Sequence, residues 1–356
     1  MNIKEKNLYE LWTMLISRKS AGTALSYEGA MKRFIKDNGN NVVFEDITPE
    51  FIDKWREKMR GELSKTTVNI YLRSFSALAH LAYECRLITI TPKFLFRGLS
   101  IFSRHSSNSR RHYYLPPEEW KKMWRFYESS GEDCEEFQRC RACYRKAYLE
   151  GLGIMLFMYL GNGMNLRDMC GLRYDKFYFQ QGGKMIRFCR HKTAERTGLE
   201  VEIPILREMQ MIIERQGQKP EQGKLIFPYM MYDVGDDLRE HKCVADLGHC
   251  VRDRMKAIAR FLNFPHPPTP TWARHSFATN LIQSGVPKDY VMWAMTHSDN
   301  NVTSIYIATY GYEKMVEYNT LLLHAKGSEE HLLAQINSLP KEKVEKIIRK
   351  LQEGNI

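Results

Sequence analysis

Arg274, His297 and Tyr306 stand in that order toward the C-terminal end of the sequence, the tyrosine nine residues after the histidine. Each residue type suits one task in breaking and rejoining a phosphodiester. A guanidinium grips a phosphate bidentately, which an ammonium cannot do. An imidazole donates a hydrogen bond to the same phosphate. A phenol is a nucleophile whose covalent phosphoester conserves the bond energy, so that a cut strand can be rejoined. Cleavage without a metal also needs charge neutralisation around phosphorus, and cations aimed at the developing charge contribute most of the transition-state stabilisation. No Asp/Glu set is clustered as two magnesium ions would need, which counts against a two-metal nuclease. Any of the three residues alone would be an ordinary surface arginine, structural histidine or core tyrosine; their order and spacing carry the argument.

The surrounding strings are informative. Thr271-Trp272-Ala273-Arg274-His275-Ser276-Phe277-Ala278-Thr279 is followed by Gly285-Val286, then by Met295-Thr296-His297-Ser298, then by Thr303 to Tyr306. This run resembles the C-terminal catalytic box of the tyrosine recombinases, the phage integrase family. The resemblance implies site-specific DNA strand exchange through a 3′-phosphotyrosyl intermediate, with Tyr306 as nucleophile and Arg274 and His297 on the phosphate. Lys192, in the turn Arg190-His191-Lys192-Thr193, matches the family's lysine, which contacts the scissile region through the minor groove and protonates the leaving 5′-oxygen. No cofactor and no metal are implied.

Two departures mark the match. Asn162-Gly163-Met164-Asn165-Leu166-Arg167-Asp168, with Leu172-Arg173-Tyr174 beyond it, corresponds to the family's first box and places Asn165 where an arginine belongs. The usual His-x-x-Arg of the second box becomes Thr271-x-x-Arg274. Some integrases of conjugative transposons share such a stretch, and the chain resembles that branch. Arg167 and Arg173 are the local candidates for a replacement cation, although Arg167 lies two positions late and points elsewhere on a helix. The alternative is a weakened or inactive recombinase-fold DNA-binding protein; a type IB topoisomerase is a lesser one. Losing one well-placed cation costs on the order of 2.7–4 kcal/mol of transition-state stabilisation.

These residues need elements to position them. A strand from Tyr174 to Phe179, a turn at Gln180-Gln181-Gly182-Gly183, a strand from Lys184 to Arg190 and a third from Leu199 to Ile203 read as a three-stranded antiparallel meander, with Lys192 at its second turn. Helical patterns cover Leu206 to Arg215, Asp246 to Phe261, Trp272 to Ser284, Lys288 to Met295, Val302 to Tyr306 and Glu313 to Leu323. An apolar helix runs through Leu152 to Leu160. The stretch 127–145 reads as an insertion, dense in Glu, Cys and Arg; its Cys134, Cys140 and Cys143 lack the fourth ligand that a zinc site would want.

The first hundred residues read as four or five amphipathic helices. Thr48-Pro49-Glu50 and Ser64 are start signals, and Thr23 can open another helix. Ser64 to Arg73 resembles the opening of the family's DNA-facing helix, making Thr66, Asn69 and Arg73 candidate DNA contacts. The expected fold class is α+β and mostly helical. A helical core-binding domain of SAM-like type spans 1–100, a basic linker 101–113, a mixed catalytic domain 114–325, and a helical tail 326–356.

Charge agrees. The net charge is +11, and residues 1 to 112 carry 19 Lys and Arg against 11 Asp and Glu. A polyanion is the natural partner. Double-stranded DNA, a homo-tetramer assembled on it, no membrane and a cytoplasmic location are expected; no apolar run reaches membrane-spanning length and no signal core is seen.

Overall fold

The computed structural model describes residues 7–98, 114–192, 198–229, 235–296, 310–325, 327–339 and 341–352. These form two compact units, one of residues 1–111 with 235–241, the other of 112–234 with 242–356.

The first unit is built from α1 (Leu8–Ser17), α2 (Ala21–Asn38), α3 (Pro49–Arg60), α4 (Lys65–Glu84) and the short α5 (Pro92–Leu95). The caps follow the sequence signals. Thr48 accepts from the Phe51 backbone N–H, and Ser64 from that of Thr67, so each fills a donor the helix start leaves open. The expected Thr23 start lies three residues inside a helix whose N-cap is Ser20. Trp12, Phe34, Trp55 and Phe75 meet at the centre, with Phe34 5.0 Å from both Trp55 and Phe75 between ring centroids. All four are at most 1% exposed. The buried tryptophans find acceptors for their N–H groups, Ser74 Oγ at 3.1 Å and Asp37 Oδ2 at 3.0 Å.

The second unit begins with α6 (Pro117–Glu128), the single-turn α7 (Glu135–Gln138), α8 (Ala142–Leu160), α9 (Leu166–Cys170) and α10 (Lys176–Gln180). Strands β1 (Met185–Cys189) and β2 (Glu200–Pro204) follow, then α11 (Arg207–Gln216), α12 (Asp237–Phe261, of which residues 242–261 belong to this unit), α13 (Pro270–Gln283), α14 (Lys288–Ala294), α15 (Tyr312–Thr320), α16 (Glu329–Ser338) and α17 (Lys341–Gln352). Residues 151–160 of α8 are buried on every side. A helix apolar all round is the centre of such a unit.

The expected three-stranded meander is corrected to two strands among the described residues. β1 and β2 pair antiparallel, Met185 opposite Pro204 and Cys189 opposite Glu200. The supposed first strand is instead α10. Asp175 caps it by accepting from the Tyr178 N–H at 2.8 Å, and Arg173 forms only an isolated bridge to Leu225. Aromatic-rich sequence fits a strand or a buried helix turn equally, and the cap decides between them.

The stretch 127–145 is a packed segment. Phe137, fully buried, meets Phe126 at 4.9 Å and Phe261 at 5.5 Å. Cys134, Cys140 and Cys143 are free thiols. Among the described residues no helix is long and apolar enough to cross a membrane.

Candidate active site

Helix α13 carries Arg274 and is fixed by polar groups on its inner face. Ser276 Oγ accepts from the Leu115 N–H at 2.9 Å, and Asn280 Nδ2 donates to the Leu115 carbonyl at 3.0 Å and to Tyr159 Oη at 2.9 Å. Tyr159 lies against Trp120, stacked at 3.9 Å. These bonds set the rotation of α13, because a slip would strand buried polar groups.

Arg274 is then aimed. Its guanidinium donates to the carbonyls of Gly163 and Met295, both at 3.0 Å. Gly163 has φ +59°, and a β-carbon there would sit 2.9 Å from Arg274 Cα. Only glycine lets the 161–163 turn approach α13 so closely. Burial first, and then the positive charge of Arg190, lower the Arg274 guanidinium to about 10, with Asp168 pulling the other way. The group stays protonated at neutral pH, yet it is an under-solvated cation, and a bound anion would offset that cost.

A second polar network ties the turn to the neighbouring elements. Tyr290 on α14 donates to Asn319 Oδ1 at 2.7 Å, Asn319 on α15 donates to Asn162 Oδ1 at 2.8 Å, and Asn162 donates to the Glu202 carbonyl on β2 at 3.2 Å. Both asparagines are at most 2% exposed. The network therefore holds α14 and α15, the two helices that flank residues 297–309 in the chain.

His297 and Tyr306, together with the expected helix from Val302, lie outside the described residues, as does the linker at 101–113. Tyr310, the nearest competing tyrosine, is described. It packs on Tyr290 at 4.9 Å and Trp293 at 5.2 Å, and burial raises its phenol above the ordinary range.

The end of β1 brings Arg190, His191 and Lys192 to the other side of this cluster. Asp168 on α9, buried, accepts from the His191 backbone N–H at 2.9 Å and from Asn165 Nδ2 at 3.5 Å, and faces Arg190 Nε at 3.9 Å. It thereby pins the turn that presents Lys192, which is exposed. Arg190 donates to the Met295 carbonyl at 3.1 Å and to Thr296 Oγ1 at 3.3 Å. The Met295 carbonyl thus joins Arg190 and Arg274.

The two local candidates for a replacement cation are placed differently. The Arg167 guanidinium lies 3.0 Å from His191 Nε2. Arg173 donates to the Gly223 carbonyl at 2.8 Å. Asn165 and Thr271, the two departures, line one cavity of about 290 Å³ with His249 and Arg252 of α12, whose side chains meet at 2.7 Å. In the first unit Thr66 and Arg73 are exposed and Asn69 half-buried on one face of α4, beside the buried Val68, Leu72 and Phe75.

Sequence reading missed that Arg190, Thr296 and Asp168 belong to the polar cluster around Arg274. The signals were present: Arg190 stands two residues before Lys192, and Thr296 occupies the glycine of the family's Leu-Gly-His-Ser.

Comparison with known proteins settles the lineage. The model of the phage integrase family matches residues 119–311, and that of the phage integrase SAM-like domain matches residues 7–96. The chain belongs to the phage integrase family. It is a tyrosine site-specific recombinase. A tyrosine recombinase of Pseudothermotoga lettingae is 22% identical over 313 residues, covering 87% of this chain and 96% of the relative. Among solved structures, the Tn1549 transposon integrase in complex with transposon right end DNA has a TM-score of 0.57 at 18% identity, covering 86% of this chain and 96% of that one. A lambda integrase dimer bound to a COC′ core site has a TM-score of 0.53 at 14% identity, covering 83% and 96%. These likenesses show that the recombinase shares the integrase fold.

Proposed function

We propose that this recombinase integrates or excises a mobile element by cutting and rejoining double-stranded DNA through Tyr306. The observation that carries the reading is Arg274: a partly desolvated guanidinium held by two carbonyls, one of them only two residues before His297. The phenolic oxygen of Tyr306 attacks phosphorus and the bond to the 5′-oxygen breaks. The proton lost from the phenol is matched by one gained at the leaving 5′-oxygen, delivered by Lys192. Arg274 and His297 take up the charge on the pentavalent phosphorus. Attack by the 5′-hydroxyl of a partner strand reverses these steps and frees the tyrosine, so no cofactor is consumed.

Thr66, Asn69 and Arg73 on α4 contact the duplex, and four copies act on two duplexes in the cytoplasm. The likeness to a transposon integrase in complex with transposon end DNA supports a mobile-element role. Asn165 and Thr271 keep a second reading in play, because an asparagine at the first-box position lacks the family's charge and a threonine at the second lacks its imidazole: a recombinase-fold protein that binds DNA without cutting it.

A nicked suicide duplex separates the two. On a denaturing gel the wild-type protein should form a covalent adduct and Tyr306→Phe none. Absence of any wild-type adduct across a library of nicked duplexes with randomised cores would leave the binding-only reading standing.

A further inference from the structure

We propose that Arg190, delivered by the end of β1 and seated by Thr296, is the second guanidinium on the scissile phosphate, in the role that Asn165 leaves open. The inference deepens the strand-cleavage reading and rests on it.

The geometry comes first. Arg274 Nη2 and Arg190 Nη1 donate to the same carbonyl, that of Met295, at 3.0 and 3.1 Å. Two like charges gathered on one neutral oxygen repel, and the Arg190 charge is among the causes that lower Arg274. Asp168 Oδ2 is the carboxylate that faces Arg190 among the described residues, at 3.9 Å from its Nε. That carboxylate already accepts from His191 and Asn165. The Arg190 side chain is 11% exposed, so its charge is only partly solvated. Two guanidinium groups thus converge on one carbonyl oxygen, their forks side by side. An anion with oxygens for both cations, such as a phosphodiester, completes the cluster.

Thr296 adds an independent observation. It adopts φ +48°, a conformation costly for a β-branched residue. Glycine would relieve that strain. The threonine hydroxyl donates to Met295 O at 2.8 Å and accepts from Arg190 at 3.3 Å. The strained residue therefore supplies a hydroxyl that glycine lacks, and that hydroxyl orients Arg190. Asn165, by contrast, reaches Asp168 with a neutral amide. The charge missing from the start of α9 is thus offered from the end of β1. Arg190 is a catalytic residue on this account and Thr296 a positioning residue.

The test uses the full chain and a nicked duplex selected from the randomised library by wild-type adduct formation. Single-turnover adduct formation by Arg190→Gln should slow on the order of 10²–10³-fold, with duplex affinity little changed. Arg190→Lys, which keeps the charge and the fold but not the fork, should also be slow. Thr296→Gly should slow less than Arg190→Gln while leaving the melting temperature equal or higher. Placing an arginine at 165 in the Arg190→Gln background should restore part of the rate. A duplex with a neutral methylphosphonate at the scissile position supplies the readout that a merely structural role would not move. There the gap between wild type and Arg190→Gln should shrink, because the charge Arg190 answers is gone. An Arg190→Gln or Arg190→Lys rate within about threefold of wild type, or an equal handicap on both duplexes, overturns the role of Arg190. Failure of the wild-type protein to form any adduct overturns the strand-cleavage reading itself, a distinct result.

Discussion

At the scale of single residues, the candidate site holds a cation where water cannot fully reach it. Arg274 is lowered to about 10 chiefly by burial. Its useful form is the protonated one, so the sign is simple. On the proposed mechanism the guanidinium is ready to neutralise phosphate below that value; as pH rises through it, the charge of the free protein is lost. A bound phosphate pulls that value up, so the alkaline limb belongs to the free protein: duplex affinity should weaken as pH rises through about 10, while adduct formation on pre-bound duplex holds to higher pH. An affinity profile flat to well beyond that point would mean that Arg274 is better solvated than its burial indicates. Lysine at 274 should not rescue, since a single ammonium cannot bridge two phosphate oxygens.

At the scale of elements, the decisive contact is between the 161–163 turn and α13. Gly163 takes a positive φ and touches the Arg274 backbone, while its carbonyl receives the Arg274 side chain. Alanine there meets both obstacles, the strained φ and a β-carbon 2.9 Å from Arg274 Cα. Gly163→Ala should lower stability by about 1–3 kcal/mol, read as a drop in melting temperature, and should slow adduct formation more than that loss explains. An unchanged melting temperature would show that α13 can shift freely, contrary to the polar bonds through Ser276 and Asn280. The same scale explains the sheet. Lys192 needs only the β1–β2 ladder and the Asp168 bond to His191 to be presented, so α10 can pack as a helix without disturbing the turn.

At the scale of the whole molecule, the excess of positive charge in the first 112 residues and the exposed polar face of α4 point to a phosphate-reading surface. Duplex affinity should fall by on the order of 10³-fold between about 50 and 200 mM salt. The mass of the complex on two duplexes, measured in solution, should correspond to four chains. Affinity indifferent to salt would remove the electrostatic basis of the DNA assignment. The tail has uneven partners: His331 of α16 is buried, whereas Ile348 and Leu351 of α17 are 47% and 60% exposed.

Much was legible without coordinates, because local chemistry is written locally. Thr48 and Ser64 announce their helices through hydroxyls that meet N–H groups three residues on. The apolar run of α8 announces a buried helix. The strings around Arg274, His297 and Tyr306 name the chemistry, since a few residue types at fixed spacing are all that it requires. What the sequence could not decide are contacts between distant segments. Whether Tyr174 to Phe179 is strand or helix depended on a cap competing with a ladder. That Arg190 meets Arg274, 84 positions away, at one carbonyl of a third segment follows from how β1, α13 and α14 pack. Such a meeting has no signature in either segment alone, because the forces that create it, burial and shared hydrogen bonding, exist only once the chain has closed on itself.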